Sequence, residues 1–240
     1  MDANSTPSWT QAAPLVILPG LICDARMFAG QVEAFGATVV DGFYGAADRI
    51  GAMADYALAR MPDRCTLLGH SMGARVALEI WARAPARVDR LIFADTGAHP
   101  VSDKERAGRV ALRDLGRSEG SAALVDRWLP PMVGPHRRDD GVFMRTMRTM
   151  AIDGGCAAYE RQIEALLHRP DAAAVLPTIT CPTLFLVGAD DAWSPPAQHA
   201  AMARDVPGAQ LRIIADAGHM APAEAPEQFN RCISEWLDNT

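Results

Sequence analysis

Short apolar runs alternate with longer amphipathic segments along most of this chain. Runs with the length and composition of buried strands occur at residues 15–18, 38–40, 65–68, 90–94, 183–187 and 210–214. Segments with a helical spacing of apolar residues occur at 26–35, 50–61, 72–83, 196–204 and 226–237. Strands that alternate with helices predict an α/β fold, in which helices cover both faces of a mostly parallel central sheet.

The alternation stops between residues 102 and 174, where every periodic segment has helical spacing. Weak helices are predicted there at 104–115, 121–129, 140–151 and 156–167. We therefore expect a base domain formed by residues 14–101 and 175–240, interrupted by an inserted helical cap at 102–174. Residues 1–13 are polar and are expected to form an N-terminal tail.

The composition is that of a globular protein. The chain has 240 residues, within the range of one large domain, and 49% of them are hydrophobic and 22% charged. No apolar run is long enough to span a membrane, and the polar start does not resemble a secretory signal. The net charge of −6 argues against nucleic acid or an anionic membrane as a partner. We expect a soluble protein, and the sequence predicts no oligomeric state.

The five cysteines are an odd number and occur without CxxC spacing. This distribution indicates reduced thiols rather than disulfides or a zinc site, and reduced thiols are typical of the cytoplasm. The six histidines do not cluster along the chain either. We therefore expect a cytoplasmic protein with no bound metal and no cofactor.

The candidate chemistry centres on Ser71. Residues 69–73 have the sequence Gly-His-Ser-Met-Gly, with a predicted strand before them and a predicted helix after them. A serine between flanking glycines at a strand-to-helix turn is the pattern of a nucleophile elbow, which exposes the hydroxyl group. The pentapeptide alone also occurs in ordinary turns, so the prediction depends on an acid and a histidine that follow in the order acid, then histidine.

Both partners are present after the later strands. His219 follows the strand at 210–214 and is the candidate general base, and a carboxylate is needed to orient its imidazole. Asp191 is the candidate acid, because it follows the strand at 183–187 by a spacing that favours it over its neighbour Asp190. Asp95, at the end of the strand at 90–94, is a further alternative for the acid. Asp190 and Asp191 could instead simply form a polar turn.

An oxyanion formed during attack by Ser71 would need backbone N–H donors. Met72 follows the nucleophile and is one candidate, and Leu21, in the loop after the first strand, is the other. Pro19 in the same loop has no N–H and is excluded. The loop could also be a simple turn that ends the strand.

These motifs identify the chain by resemblance. Residues 14–237 resemble an α/β-hydrolase of the capped, single-domain esterase type, on the basis of the motifs at 18–21, 69–73, 188–191 and 218–219. Members of this family often have His-Gly where this chain has Pro19-Gly20. The segments 159–171 and 181–183 also resemble a bacterial subgroup of these hydrolases. The resemblance implies a serine hydrolase that forms an acyl-enzyme.

The substrate should be chosen by the predicted cap. Met144 and Met147 recur at helical spacing and could line an acyl pocket, although they could equally pack the cap onto the base. Cys23 and Trp193 lie in loops that could border the same pocket. Four arginines are candidates for binding an anionic group, with a solvated helix face as the alternative: Arg137, Arg138, Arg145 and Arg148.

We expect hydrolysis of a small or medium carboxylic ester, with a thioester as a further option. The same fold also supports carbon–carbon bond hydrolysis, lyase chemistry, perhydrolysis and noncatalytic ligand binding. Product analysis distinguishes the catalytic alternatives, and a folded protein that neither reacts nor labels at Ser71 would indicate a receptor.

Overall fold

A computed structural model describes residues 13–240, so most of the predicted tail lies outside the described residues. The strands are β1 to β6, at Leu15–Leu18, Thr38–Val39, Cys65–His70, Val88–Ala94, Thr183–Gly188 and Gln210–Ile214. The longer helices are α1 Ala29–Phe35, α2 Ile50–Leu58, α3 Met72–Arg83, α4 Asp103–Trp128, α6 Gly141–Leu167, α7 Pro196–Asp205 and α9 Pro226–Leu237. Two single-turn helices are α5 Pro135–Arg138 and α8 Ala221–Glu224.

All six strands are parallel and form one sheet in the order β2-β1-β3-β4-β5-β6. The central strands are apolar because they are buried on both faces, and every residue of β1, β3 and β5 is buried. Helix α3 packs against β1, β3 and β4, α7 against β5 and β6, and α9 against α1 and β6. The predicted α/β fold with a parallel sheet is confirmed.

The chain between β4 and β5 contains no strand among the described residues and consists of α4, α5, α6 and short turns. Helix α4 is broken at Gly120 (φ 89°, ψ 174°), and α6 is broken at Gly155 (φ 73°, ψ 165°). These breaks divide the two long helices into four parts, close to the four helices predicted from the sequence. The division of the chain into base and cap stays a prediction.

The order of the strands determines where loops meet. β1 lies beside β3, with Leu18 opposite Gly69, so the loop after β1 and the turn after β3 emerge next to each other. β4, β5 and β6 end at the same edge, because Ala94 pairs with Leu186 and Gly188 with Ile214. The carboxyl edge of the sheet therefore gathers the segments that carry the candidate residues. None of the helices in residues 13–240 is both long and apolar enough to cross a bilayer.

Candidate active site

Ser71 lies at the corner where β3 turns directly into α3. Its backbone has φ 53° and ψ −113°, a conformation that residues with a Cβ rarely adopt. A Cβ at Gly69 would overlap the backbone of Ala74, and a Cβ at Gly73 would overlap the carbonyl group of Leu18. The strained corner and the two close approaches explain why serine is flanked by glycines here.

The backbone of Ser71 is held by the segment that follows β4. Ser71 N donates to Ala94 O at 2.9 Å, and the Thr96 hydroxyl donates to Ser71 O at 2.8 Å. Thr96 N in turn donates to Nε2 of the buried His199 at 2.9 Å. Burial lowers the pKa of His199 to about 4, so its imidazole is neutral and can accept this bond. Hydrogen bonds to both the N–H and the carbonyl group of Ser71 thus hold the corner in place.

Two hydrogen bonds join Ser71, His219 and Asp191. His219 Nε2 lies 2.9 Å from Ser71 Oγ, and His219 Nδ1 lies 2.8 Å from Asp191 Oδ2. Because the carboxylate can only accept, Nδ1 carries the proton and Nε2 is free to accept from the serine hydroxyl. In this arrangement the imidazole can take the Ser71 proton as the oxygen attacks an electrophile.

Asp191 is buried, whereas its neighbour Asp190 is exposed to solvent. The backbone N–H groups of Trp193 and Ser194 donate to Asp191 Oδ1 at 2.8 and 2.9 Å. Burial alone would raise the pKa of Asp191, but the charge and hydrogen bond of His219 and the two N–H bonds outweigh it and lower the pKa to about 2. Of the two adjacent aspartates, only Asp191 contacts the histidine.

Asp95, the third carboxylate considered from the sequence, occupies a different place. It is fully buried, and its Oδ1 accepts from Gly188 N at 2.9 Å. Burial, together with the nearby charge of Asp191, raises the pKa of Asp95 well above its usual value. Asp95 therefore links the ends of β4 and β5 instead of orienting His219.

The loop that carries His219 is anchored by Glu224, a buried residue of α8 that the sequence analysis did not identify. Glu224 Oε2 accepts from Gly218 N at 3.0 Å and from Gly134 N at 2.7 Å, and Oε1 accepts from Met220 N at 3.0 Å. The same carboxylate thus holds the backbone on both sides of His219. Its position five residues after His219, in an otherwise apolar segment, was the available signal.

Two further contacts fix His219 itself. His219 N donates to Met132 O at 2.9 Å, which ties the loop to the chain that follows α4. Nε2 of the buried His70 lies 2.8 Å from His219 O and must be the donor, because the carbonyl oxygen only accepts. Burial is the main cause that lowers the pKa of His70 to about 3, so His70 is a neutral positioning group.

The loop after β1 brings Leu21 to the same site. Ile22 has φ 46°, a left-handed conformation that is costly for a β-branched residue. Gln162 of α6 stabilises it, because Gln162 Oε1 accepts from Ile22 N at 2.8 Å while its Nε2 donates to Phe43 O at 3.2 Å. Gln162 is 140 residues away in the sequence, and no local pattern links it to this loop.

A cavity of about 450 Å³ lies over Ser71 and His219. Leu21 and Met72 line it, and so do Cys23 and Trp193, the two loop residues expected at a pocket. Met144 and Met147 do not line this cavity. Met147 is buried in the hydrophobic core and Met144 packs against that core. Both methionines therefore have the packing role that the sequence analysis gave as the alternative to a pocket.

The four arginines considered as candidates for binding an anion, Arg137, Arg138, Arg145 and Arg148, do not line the cavity either. Arg137 pairs with Asp140 and Arg148 with Asp126, while Arg138 donates to Val133 O. The cavity is instead lined by two arginines that the sequence analysis missed, Arg75 and Arg109. Arg75 is a charged residue between Ala74 and the apolar run Val76-Ala77-Leu78, and this contrast was the signal available in the sequence.

The described residues contain no group of three or more His, Cys, Asp or Glu side chains that could hold a metal ion. All five cysteines are free thiols, and burial raises the pKa of Cys23, the cysteine that lines the cavity, far above its usual value.

Comparison with known proteins gives relatives of limited identity. The chain is 24% identical to the mouse sn-1-specific diacylglycerol lipase ABHD11 over 72% of its length, and 30% identical to the putative carbamate hydrolase RutD of Stutzerimonas stutzeri over 72%. It is 28% identical to a pimeloyl-[acyl-carrier protein] methyl ester esterase of Neisseria meningitidis over 79%. The matches span 59%, 66% and 62% of these relatives, so the chain covers less than two thirds of each.

Solved structures match over nearly the whole chain. A thermophilic esterase from Thermogutta terrifontis, with malate bound, has a TM-score of 0.84 at 28% identity, covering 95% of this chain and 90% of that one. An enol-lactonase from Burkholderia xenovorans has a TM-score of 0.83 at 24% identity, over 96% and 94%, and shows the fold alone.

The family assignment rests on the sequence as a whole. A model of the alpha/beta hydrolase family matches residues 11–231, which is most of the chain. The named relatives are esterases and other hydrolases, in agreement with the expected class of enzyme. The resemblance inferred from the sequence motifs is confirmed: the chain belongs to the α/β-hydrolase family.

Proposed function

We propose that this protein hydrolyses a carboxylic ester through an acyl-enzyme formed on Ser71. The observation that carries the proposal is the pair of hydrogen bonds that connect Asp191, His219 and Ser71 at the cavity. A serine that donates to a neutral imidazole, whose other nitrogen donates to a buried carboxylate, has the geometry of nucleophilic acyl transfer.

In the first half-reaction, Ser71 Oγ attacks the carbonyl carbon of the ester while its proton passes to His219 Nε2. The tetrahedral intermediate collapses as the carbon–oxygen bond to the alcohol breaks and His219 returns the proton to the departing alkoxide. In the second half-reaction, His219 removes a proton from water, the hydroxide attacks the acyl carbon, and the acid leaves as Ser71 regains its proton. Asp191 stabilises the imidazolium formed in both halves.

The negative oxygen of the tetrahedral intermediate needs donors that are already in position. We assign this role to the backbone N–H groups of Leu21 and Met72, two residues that line the cavity with Ser71. Among residues 13–240, the Leu21 amide has no hydrogen-bond acceptor in the protein. An amide without an acceptor beside the nucleophile is available to the oxyanion, and removal of one such donor costs about 3 kcal/mol in the transition state.

The substrate we propose is a small or medium ester, with a thioester as the second choice. A cavity of about 450 Å³ fits a ligand of that size, and its walls combine apolar side chains with a few polar groups. The helices between β4 and β5 contribute much of this wall, through residues such as Leu112 and Trp128, which supports their role as a cap. The free thiols support a cytoplasmic location. The esterases among the relatives support ester cleavage.

The first experiment tests the nucleophile. A fluorophosphonate probe should form a covalent adduct at Ser71, located by mass spectrometry, and the purified protein should hydrolyse p-nitrophenyl acetate and butyrate. Ser71→Ala should abolish both labelling and turnover. A folded Ser71→Ala protein that retains turnover would overturn the proposal.

A matched pair of variants tests the acid. Asp191→Asn removes the carboxylate that orients His219 and should lower kcat by about 10⁴-fold. Asp190→Asn is the control, since Asp190 is exposed and its side chain does not reach His219. Equal losses in the two variants would contradict the assignment of Asp191.

A further inference from the structure

The wall of the cavity contains more positive than negative charge. We call Arg75, Arg109 and Arg169 the arginine cluster, and Glu105 is the carboxylate that pairs with two of its members. Arg75, Arg109 and Glu105 line the cavity, and Arg169 lies behind them, almost fully buried. Lys104 also lines the cavity, and a second carboxylate, Asp171, is close enough for its charge to act on Arg75. Four positive groups against two carboxylates leave an excess of positive charge at this wall.

Glu105 binds two of the arginines and does not contact the third. Its Oε1 accepts from Arg109 Nε at 2.9 Å and from Arg169 Nη1 at 2.7 Å, and its Oε2 accepts from Arg169 Nη2 at 2.6 Å. These bonds lower the pKa of Glu105 to about 2 against the opposing effect of burial, so it is fully ionised. Glu105 therefore neutralises one charge of the cluster and no more.

Arg75 forms no ion pair with any of residues 13–240. Its Nη1 donates to the carbonyl oxygen of His99 at 3.0 Å, and Arg169 Nε donates to the same oxygen at 3.2 Å. Burial and the nearby charge of Arg169 lower the pKa of Arg75 to about 9, which leaves it charged at neutral pH. The charges of Glu105 and Asp171 act on Arg75, but neither carboxylate pairs with it directly. A buried cation without a direct ion pair is costly, and a bound anion would lower that cost.

A second polar group on this wall also lacks a partner. The hydroxyl of Tyr159 is buried and has no hydrogen-bond partner among the described residues. It lies near Arg109, because the charge of Arg109 acts to lower the pKa of Tyr159 while burial raises it. Buried hydroxyls are rarely left unsatisfied in a folded protein unless a ligand or water completes them.

The cluster and the nucleophile border the same cavity. Ser71 caps α3, and Arg75 lies in the first turn of that helix. One ligand can therefore present an ester to Ser71 and an anionic group to Arg75 at the same time.

We propose that the arginine cluster is a subsite for a carboxylate group on the substrate, so that the enzyme acts on monoesters of dicarboxylic acids. This inference rests on the proposed ester hydrolysis at Ser71. Arg75 and Arg109 bind the carboxylate, with Tyr159 as a further donor, while the ester carbonyl lies at Ser71. A guanidinium group matches the planar, two-oxygen geometry of a carboxylate.

The test compares an anionic ester with its neutral methyl ester. Monophenyl adipate carries a carboxylate separated from the ester carbonyl by four methylenes, and methyl phenyl adipate is its neutral counterpart. We expect kcat/KM for the anionic ester to exceed that for the neutral ester by at least about tenfold, since a desolvated charge pair discriminates strongly. Arg75→Gln and Arg109→Gln should each lower this ratio by about tenfold or more.

The ratio is informative because a merely structural role of either arginine would lower both rates together. Arg148→Gln is the matched control, since Arg148 pairs with Asp126 outside the cavity, and it should keep the wild-type ratio. A ratio near one in the wild type, or an unchanged ratio in both Arg75→Gln and Arg109→Gln, would overturn the subsite.

Ligand binding to the Ser71→Ala protein tests the subsite independently of the reaction. Calorimetric titration should detect adipate and should not detect dimethyl adipate, and Arg109→Gln in the same background should weaken adipate binding. Adipate binding without any ester turnover would support the subsite and refute the proposed function. Turnover that depends on Ser71 but is indifferent to charge, with no adipate binding, would refute the subsite alone.

Discussion

Glu224 offers the sharpest test of how the site is held in place. Its carboxylate accepts three backbone N–H bonds, from Gly134, Gly218 and Met220. In Glu224→Gln, the amide oxygen can keep the two bonds at the Oε2 position, but the NH₂ group then faces Met220 N, which is also a donor. The variant therefore loses one bond and weakens two.

The expected decrease in the free energy of unfolding follows from these three hydrogen bonds. A bond to a charged acceptor contributes about 1.5–3 kcal/mol and a neutral one about 0.5–1.5, so the three changes together cost about 4 kcal/mol. Glu224 also pays a cost for burying its charge, since burial raises its pKa, and the neutral amide avoids that cost. We expect Glu224→Gln to lower the free energy of unfolding by about 2–3 kcal/mol.

The loss of these hydrogen bonds should also lower kcat, because two of the bonds flank His219. A displacement of the imidazole from Ser71 by a fraction of an ångström should lower kcat by about 10–100-fold. Urea unfolding and ester turnover are measured on Glu224→Gln and on Glu33→Gln, an exposed glutamate of α1 that serves as the control. A Glu224→Gln protein with wild-type stability and wild-type kcat would show that this reasoning about the loop is wrong.

Two further predictions concern the loop after β1 and the buried acid. Gln162→Leu leaves Ile22 N without its acceptor, so the strained loop should relax and kcat should fall by about 10–100-fold. Gln162→Glu keeps an acceptor for Ile22 N and should retain more activity. Equal losses of kcat in the two variants would contradict this prediction. Because the pKa of Asp191 is lowered to about 2 in the folded protein, its ionisation stabilises the fold above about pH 4, and the benefit disappears as the pH falls toward 2. The difference in unfolding free energy between the wild type and Asp191→Asn should therefore shrink by about 2 kcal/mol between about pH 5 and pH 2, and a constant difference would exclude the linkage.

Much of the fold follows from local pattern in the sequence. The six strands were located from short apolar runs, because a parallel strand covered on both faces must be apolar on both sides. The turn at Ser71 was predictable for a similar reason. Glycines are required on both sides of Ser71, because the strand and the helix approach too closely to leave room for a side chain.

The methionines of α6 show where a local pattern is ambiguous. Helical spacing places Met144 and Met147 on one face of α6, but the same spacing serves a core or a pocket. Packing of α6 against its neighbours makes that face part of the core. The cavity is instead lined by residues from several elements, including Arg75 on α3 and Arg109 on α4.

The sequence by itself determined the type of fold, the serine at the turn and the order in which its acid and histidine partners follow, since these depend on hydrophobic periodicity and short motifs. The sequence favoured Asp191 as the acid and left Asp95 as an alternative, and the contact of Asp191 with His219 is visible only in the tertiary structure, because it depends on which carboxylate faces the histidine at the edge of the sheet. The contact of Gln162 with the loop after β1 and the position of Arg75 and Arg109 in the cavity wall were also decided there. Such contacts join residues that are far apart along the chain. A local sequence pattern does not reveal them, because hydrogen bonds and charge interactions depend on distance in space and not on separation along the sequence.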